Sequence, residues 1–145
     1  MIYNIQTWRH SGTTRFPVME HKPSRSATWN PSPQNHFTGS VWNSRISDPE
    51  EGVKLLAVQF APGARTDWHT HPGGQLLYVV SGSGLVQTSD GVTIAISPGD
   101  VVEAAPGERH WHGASPDSPM MHLSVTSGGD TRWEESVTDE EYLRR

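Results

Sequence analysis

The sequence predicts an all-β protein, an antiparallel sandwich or barrel built from short strands. Glycine and proline (14 and 11 residues) make up 25 of the 145 residues, which favours frequent turns over long helices. Short segments rich in β-forming residues follow one another, separated by turn sequences. These segments are KLLAVQFA (54–61), QLLYVVS (75–81), GLVQTS (84–89), VTIAIS (92–97), DVVEAA (100–105) and MHLSVTS (121–127). Such regular spacing, without alternating helices, is typical of a closed or sandwiched antiparallel sheet.

The two ends of the chain differ from this central pattern. Residues 1–36 are polar, and prolines interrupt any long element, so we expect an N-terminal arm that packs on the body or on a neighbouring subunit. Residues 37–145 form the body, and we expect its end to be a short helix. Thr138 and Glu141 have the spacing of a capping box, and Asp139 and Glu140 suit the positive end of a helix.

The composition excludes several classes of protein. A chain of 145 residues fits one domain with its own core. The net charge of −5 and the lack of a basic stripe count against a nucleic-acid partner. No cysteine is present, which excludes disulfides, thiolate zinc sites and cysteine nucleophiles. No segment has the pattern of a secretion signal or a membrane helix, so we expect a cytoplasmic protein without a membrane partner.

Histidines are concentrated in two short stretches, WHTHPGGQ (68–75) and RHWHG (109–113). Residues i and i+2 of a strand share a face, so each stretch would project two imidazoles together. His122 shares the inward face of the last predicted strand with Ser124 and Thr126. If the polar faces point inward, five histidines from three segments converge inside the barrel.

This pattern favours a transition-metal site over isolated structural histidines. A lone histidine is more often a hydrogen-bonded residue than a ligand, and H-x-H by itself is weak evidence. Three imidazoles with one oxygen donor suit manganese, iron, nickel, copper or zinc. Gln75 is a neutral oxygen donor, so the ligand set brings no negative charge and a bound metal stays more electrophilic.

Two stretches resemble the motifs of the cupin family. GARTDWHTHPGGQLLYVVSG (63–82) is similar to the first cupin motif, and GDVVEAAPGERH (99–110) is similar to the second. Gln75 stands where most cupins have glutamate, Ala105 where the second motif usually has proline, and Ala114 where it often ends in asparagine. The resemblance implies a double-stranded β-helix, also called a jelly-roll barrel.

A narrower resemblance covers about residues 36 to 145. HFTGSV (36–41), MMHLSV (120–125) and WEESVTDEEY (133–142), together with both motifs, resemble the small bacterial manganese cupins with hydroxynitrile lyase activity. The resemblance implies the metal ligands His69, His71, Gln75 and His110. It also implies His122 as the general base, with His112 and Thr66 lining the same cavity. Leu56 and Thr126 differ from the residues of that group and are expected to point into the pocket.

The resemblance and the histidines together predict a metal-dependent lyase acting on a small molecule. It would cleave a cyanohydrin to a carbonyl compound and cyanide, with the metal as Lewis acid and a pocket histidine as base. Manganese is the expected metal, with iron, nickel, zinc or copper as alternatives, and a homodimer or homotetramer is implied. Two other functions remain open: a cupin dioxygenase, or another metal-dependent cupin, acting on an enol, a phenol or a sugar-derived substrate, and a non-catalytic cupin that binds a small molecule.

Overall fold

The computed structural model describes residues 19–144, and strands make up most of its regular structure. Apart from a short 3-10 helix at Ser24–Ser26 and a C-terminal α-helix, α1 (Asp139–Leu143), the elements of this range are strands. In chain order they are β1 Asn30–Pro31, β2 Phe37–Thr38, β3 Val41–Ser47, β4 Lys54–Phe60, β5 Arg65–Thr66, β6 His69–Thr70, β7 Gln75–Gly82, β8 Gly84–Thr88, β9 Thr93–Ile96, β10 Val101–Ala104, β11 His110–Ala114, β12 Met120–Thr126 and β13 Arg132–Trp133. The prediction of an all-β chain with a short C-terminal helix is confirmed.

The strands form two antiparallel sheets. One sheet has the order β1-β3-β4-β12-β7-β10, and the other has the order β13-β6-β11-β5-β2, with β8 pairing to β11 and β9 to β8. Buried apolar side chains from both sheets pack into one core, which includes Phe60, Leu77, Val86, Ile96 and Met120. The sequence-based strands are found with slightly different ends, whereas β3 and the two-residue strands β1, β2, β5 and β13 were not predicted.

The register of the first sheet lines up its inward-facing residues across three strands. Strand β12 lies between β4 and β7, so each inward residue of β12 has one neighbour on either side. The rows across β4, β12 and β7 are Lys54–Thr126–Gln75, Leu56–Ser124–Leu77 and Val58–His122–Val79. The predicted shared face of His122, Ser124 and Thr126 is therefore present, and it points toward the inside of the sandwich.

Part of the segment predicted as an arm contributes an edge strand. Strand β1 pairs antiparallel with β3, with Asn30 opposite Asn43 and Pro31 opposite Trp42. Residues 1–18, with Trp8, lie outside the described residues, so the arm over 1–36 stays a prediction.

The C-terminal helix has the predicted capping box. Thr138 Oγ1 accepts the N–H of Glu141 at 3.1 Å, and the Glu141 carboxylate accepts the N–H of Thr138 at 2.8 Å. The side chain of Arg65, which is 5% exposed, donates to Val137 O at 2.9 Å and to Asp139 at 2.7 Å. Its guanidinium also lies 4.5 Å from the centre of the Tyr142 ring. These contacts fasten the helix to β5. Among residues 19–144, no helix is long and apolar enough to cross a membrane.

The hydroxyl of Tyr142 anchors the helix to the barrel, because it donates to the buried carbonyl of Ala114 at 2.7 Å. We expect Tyr142→Phe to lower the free energy of unfolding by about 1–2 kcal/mol, since the carbonyl is left buried without that donor. Urea unfolding followed by far-UV circular dichroism measures the change. Tyr78→Phe, at an exposed tyrosine, is the matched control and should change nothing. An equal loss in both variants would contradict the anchoring role.

Candidate metal centre

Three imidazoles, two on strands and one just after a strand, form a compact, buried cluster. His69 begins β6, His110 begins β11, and the two residues are directly paired across the strands. The candidate ligand atoms of His69, His71 and His110 all lie within 4.8 Å of one another. Strand β6 ends at Thr70, so His71 lies in the following turn. The expectation that the two histidines of H-x-H project together is confirmed by this cluster, although β6 ends one residue before His71.

Backbone carbonyls orient two of these rings. His69 Nδ1–H donates to Asp67 O at 2.8 Å, and His110 Nδ1–H donates to Glu108 O at 2.9 Å. A carbonyl oxygen only accepts, so each hydrogen sits on Nδ1 and each Nε2 keeps its lone pair. His71 Nε2 is buried and has no hydrogen-bond partner within the described range. All three Nε2 atoms are thus available as ligands.

Gln75, the first residue of β7, supplies an oxygen to the same cluster. Its Oε1 lies 2.9 Å from His110 Nε2, and its Nε2 donates to Ser124 Oγ at 2.8 Å. Two lone-pair atoms therefore face each other inside the protein, an arrangement that a cation between them would stabilise. Three imidazole nitrogens and a neutral amide oxygen fit a divalent transition metal.

Burial keeps the three imidazoles uncharged. It lowers the pKa of His69 well below its usual value, and the neighbouring His110 adds to the effect. Burial, again with His110, lowers the pKa of His71 to about 4, and burial also lowers the pKa of His110. Neutral imidazole is the form that binds metals, so the ligands are ready for a cation at neutral pH.

The two remaining predicted histidines form a buried pair beside this cluster. His122 Nε2 lies 3.0 Å from His112 Nδ1, and the two residues are 0% and 4% exposed. Thr66 Oγ1 accepts the backbone N–H of His112 at 3.2 Å. His112, His122 and Thr66 all line one cavity with His69, His71 and Gln75.

One N–H of this pair lies in the hydrogen bond between the two rings. Whichever ring donates in this hydrogen bond, one outer nitrogen of the neutral pair keeps a lone pair and the other carries N–H. These outer atoms, His112 Nε2 and His122 Nδ1, have no other partner among residues 19–144. Burial lowers the pKa of His122 to about 4. Burial, together with the neighbouring His122, lowers the pKa of His112 well below its usual value. Both pKa values therefore lie below that of an exposed histidine.

The cavity, about 420 Å³ in volume, has walls of different character. Leu56 and Val58 of β4 form an aliphatic side, and Leu56 and Thr126 both line the cavity as expected. The opposite side is aromatic: Phe37, His36 and Trp133. Charged side chains stand at the mouth, where Lys54 Nζ lies 3.6 Å from both Asp48 and Asp130.

Several cavity residues were missed from the sequence. Trp133 and Thr131 belong to or precede a two-residue strand too short to show a period. Phe37 and His36 were assigned to the start of the body and the end of the arm. Three histidines lie outside the two sequence motifs, and we expect none of them to bind the metal. His21 is exposed, His36 lines the cavity outside the three-imidazole cluster, and His10 lies outside the described residues.

The buried neutral state of His122 makes the stability of the metal-free protein depend on pH. In the unfolded chain His122 has a pKa near 6.5, whereas in the folded protein its pKa is about 4. Between these pH values the unfolded chain binds a proton at His122 and the folded protein does not. The contribution is fully present above about pH 6.5 and is lost as the pH falls toward 4. We expect the free energy of unfolding to fall between pH 7 and pH 5 by about 2 kcal/mol more in the wild type than in His122→Asn.

Urea titrations in a chelating buffer at the two pH values measure this difference. Equal pH dependence in both proteins would contradict the neutral burial of His122.

Comparisons with known proteins agree with this fold and cluster. The family model described as "Cupin domain" matches residues 56–126. The (R)-mandelonitrile lyase of Granulicella tundricola is 43% identical over 131 residues, which cover 87% of this chain and all of that protein. A cupin-like protein from Thermotoga maritima is 40% identical with a TM-score of 0.75, covering 77% of this chain and 89% of that one.

More distant structures share the fold. The polyketide cyclase RemF from Streptomyces resistomycificus is 18% identical with a TM-score of 0.69, over 86% of this chain and 91% of that one. Sequence motifs, sheet topology and relatives thus converge: the chain belongs to the cupin family and has its all-β fold.

Proposed function

We propose that this protein is a metal-dependent hydroxynitrile lyase. It would cleave the C–C bond between the hydroxyl carbon and the cyanide of a cyanohydrin, giving a carbonyl compound and hydrogen cyanide. The observation that carries the proposal is the buried His112–His122 pair, which exceeds what a metal needs and opens on the same cavity. The identity of 43% to a mandelonitrile lyase supports it.

We propose His69, His71, His110 and the Gln75 side-chain oxygen as the ligands of one divalent metal. Manganese is our first candidate, with iron, nickel, zinc and copper as alternatives, because this ligand set accommodates each of them. When bound, the metal would supply a Lewis acid for the substrate oxygen or the leaving cyanide.

The histidine pair would move the proton. His122 would be the base: its Nε2–H donates to His112 Nδ1, and its Nδ1 accepts the proton of the substrate hydroxyl. The electron pair of the C–C bond leaves with cyanide while the carbonyl forms. His122 then passes the same proton to cyanide, which gives hydrogen cyanide. Thr66 Oγ1 accepts the backbone N–H of His112, which leaves the Thr66 O–H to donate to the substrate oxygen. Both imidazoles begin and end neutral.

The aromatic side of the cavity supports an aryl substrate. Trp133 stacks on His36 with ring centres 4.5 Å apart, and Phe37 lies 5.5 Å from Trp133. The ring centre of Phe37 also lies 6.4 Å from that of Phe60, and the ring centre of Phe60 lies 5.4 Å from that of His122. Aromatic rings bind one another through offset and edge-to-face contacts. A substrate ring beside Phe37 would therefore place its hydroxyl carbon toward the histidine pair.

We also propose that the protein forms a homodimer or homotetramer. The outer face of the first sheet exposes Leu76, Tyr78 and Val80 of β7 and Val101 of β10, and Trp42 of β3 is 46% exposed. Exposed apolar side chains on one face of a sheet favour association. The arm of residues 1–36 would pack on the barrel or on a neighbouring subunit.

The central test is mandelonitrile cleavage together with metal analysis. We expect His122→Ala to keep its metal and lose about 10²–10⁴-fold in kcat, because only the base is removed. His69→Ala should lose both metal and activity. His21→Ala changes an exposed histidine outside the cavity and is the control. Full activity in metal-free protein would overturn the proposed function.

Oxygen uptake during turnover separates the lyase from a dioxygenase, because cleavage of a cyanohydrin consumes no oxygen. Oxygen-dependent turnover of an enol or phenol, without cyanohydrin cleavage, would favour the dioxygenase. Binding of a small molecule without turnover would favour a non-catalytic cupin.

The aromatic side of the cavity makes a separate prediction about substrate preference. We expect Phe37→Leu to lower the ratio of kcat/KM for mandelonitrile to that for acetone cyanohydrin by about 3- to 10-fold, since an aromatic contact is lost. Phe37→Tyr keeps the ring and should keep the ratio. A ratio that stays constant in Phe37→Leu would show that the ring plays no part in selecting the substrate.

A further inference from the structure

Strand β13 and the residue before it lie behind His69 and His71. Strand β13 pairs with β6 so that Trp133 lies opposite His69 and Arg132 opposite Thr70. The ring of Trp133 lies 4.9 Å from that of His69, and Thr131 Oγ1 lies 3.3 Å from His71 Nδ1. The sequence T-x-W thus faces the sequence H-x-H.

His71 is oriented differently from the other two imidazoles. His69 and His110 each give their Nδ1 hydrogen to a carbonyl two residues earlier in their own segment. The contact of His71 is a side-chain hydroxyl 60 residues further along the chain. The direction of this one ring therefore depends on a tertiary contact.

The backbone around both partners is fixed. The carbonyl of His71 accepts N–H groups from Gly74 at 3.1 Å and Gly107 at 2.9 Å. The loop before Thr131 packs backbone to backbone against the turn after His71: a Cβ on Gly73 would lie 2.1 Å from Ser127 O. The ion pair of Asp130 with Lys54 ties the same loop to β4. With both backbones held, the hydroxyl of Thr131 is the group that sets the His71 ring.

We propose that Thr131 is a positioning residue of the metal centre. Its hydroxyl oxygen accepts the Nδ1 hydrogen of His71 and so directs Nε2, which is buried and has no partner within residues 19–144, at the metal. The inference rests on the metal centre of the proposed function. Hydrogen bonds to the second nitrogen of a ligating histidine fix its orientation, and their loss weakens metal binding.

The test compares Thr131→Val, Thr131→Ser and Thr70→Val. Valine keeps the shape and strand preference of threonine without the hydroxyl, whereas serine keeps the hydroxyl. Thr70 lies between the two histidines on the same strand pair and is the matched control. The dissociation constant for Mn²⁺ alone is measured by competition with a fluorescent chelator at fixed pH, and the metal-free proteins are compared by thermal unfolding.

We expect Thr131→Val to bind Mn²⁺ about 10- to 100-fold more weakly. Thr131→Ser and Thr70→Val should bind it like the wild type, and all metal-free proteins should be fully folded at the temperature of the binding measurement. Unchanged affinity in Thr131→Val, or an equal loss in Thr131→Ser, would overturn the inference.

The wild type separates this inference from the proposed function. Wild-type protein that binds Mn²⁺ but cleaves no cyanohydrin refutes the lyase and leaves the role of Thr131 to the affinity measurements. Wild-type protein that binds no divalent metal refutes both.

Discussion

The pairing of β11 with β6 is the constraint on which the whole site depends. It sets His110 opposite His69 and so joins two histidine clusters that are far apart in sequence. Strand β11 is buried on both faces, because Trp111 packs on Tyr142 and donates to Gln87 on the side away from the cavity. A slip of one residue would exchange indole and imidazole between core and cavity, so the register is held from both sides.

Burial then sets the electrostatics of the cavity. The imidazoles lose solvent, their pKa values fall, and at neutral pH they stay uncharged. A neutral imidazole can accept either a metal or a proton. One physical cause thus keeps the three candidate ligands free for a cation and the His112–His122 pair unprotonated, so that one of its rings can accept a proton. Gln75 preserves this balance, since it adds an oxygen donor without a charge.

Much of the fold and of the site's chemistry was predictable from local pattern. Gly- and Pro-rich turns between β-forming segments gave the all-β class, and the spacing of Thr138 and Glu141 gave the capped helix. His69, His71, Gln75 and His122 line one cavity, and they could be predicted because H-x-H and the alternation along β12 are local signals. Thr131, Trp133 and Phe37 could not be predicted, since strands β13 and β2 have only two residues each and exist through their pairing partners.

The sequence by itself determined the element types and the candidate metal-binding groups, because strand alternation, turn chemistry and ligand preference act over a few residues. The tertiary structure decided the rest. It brought His71 and His110 within reach of each other, linked His112 to His122, and put Thr131 behind His71. It also lowered the histidine pKa values. Each of these depends on segments distant in sequence meeting in a space that excludes water.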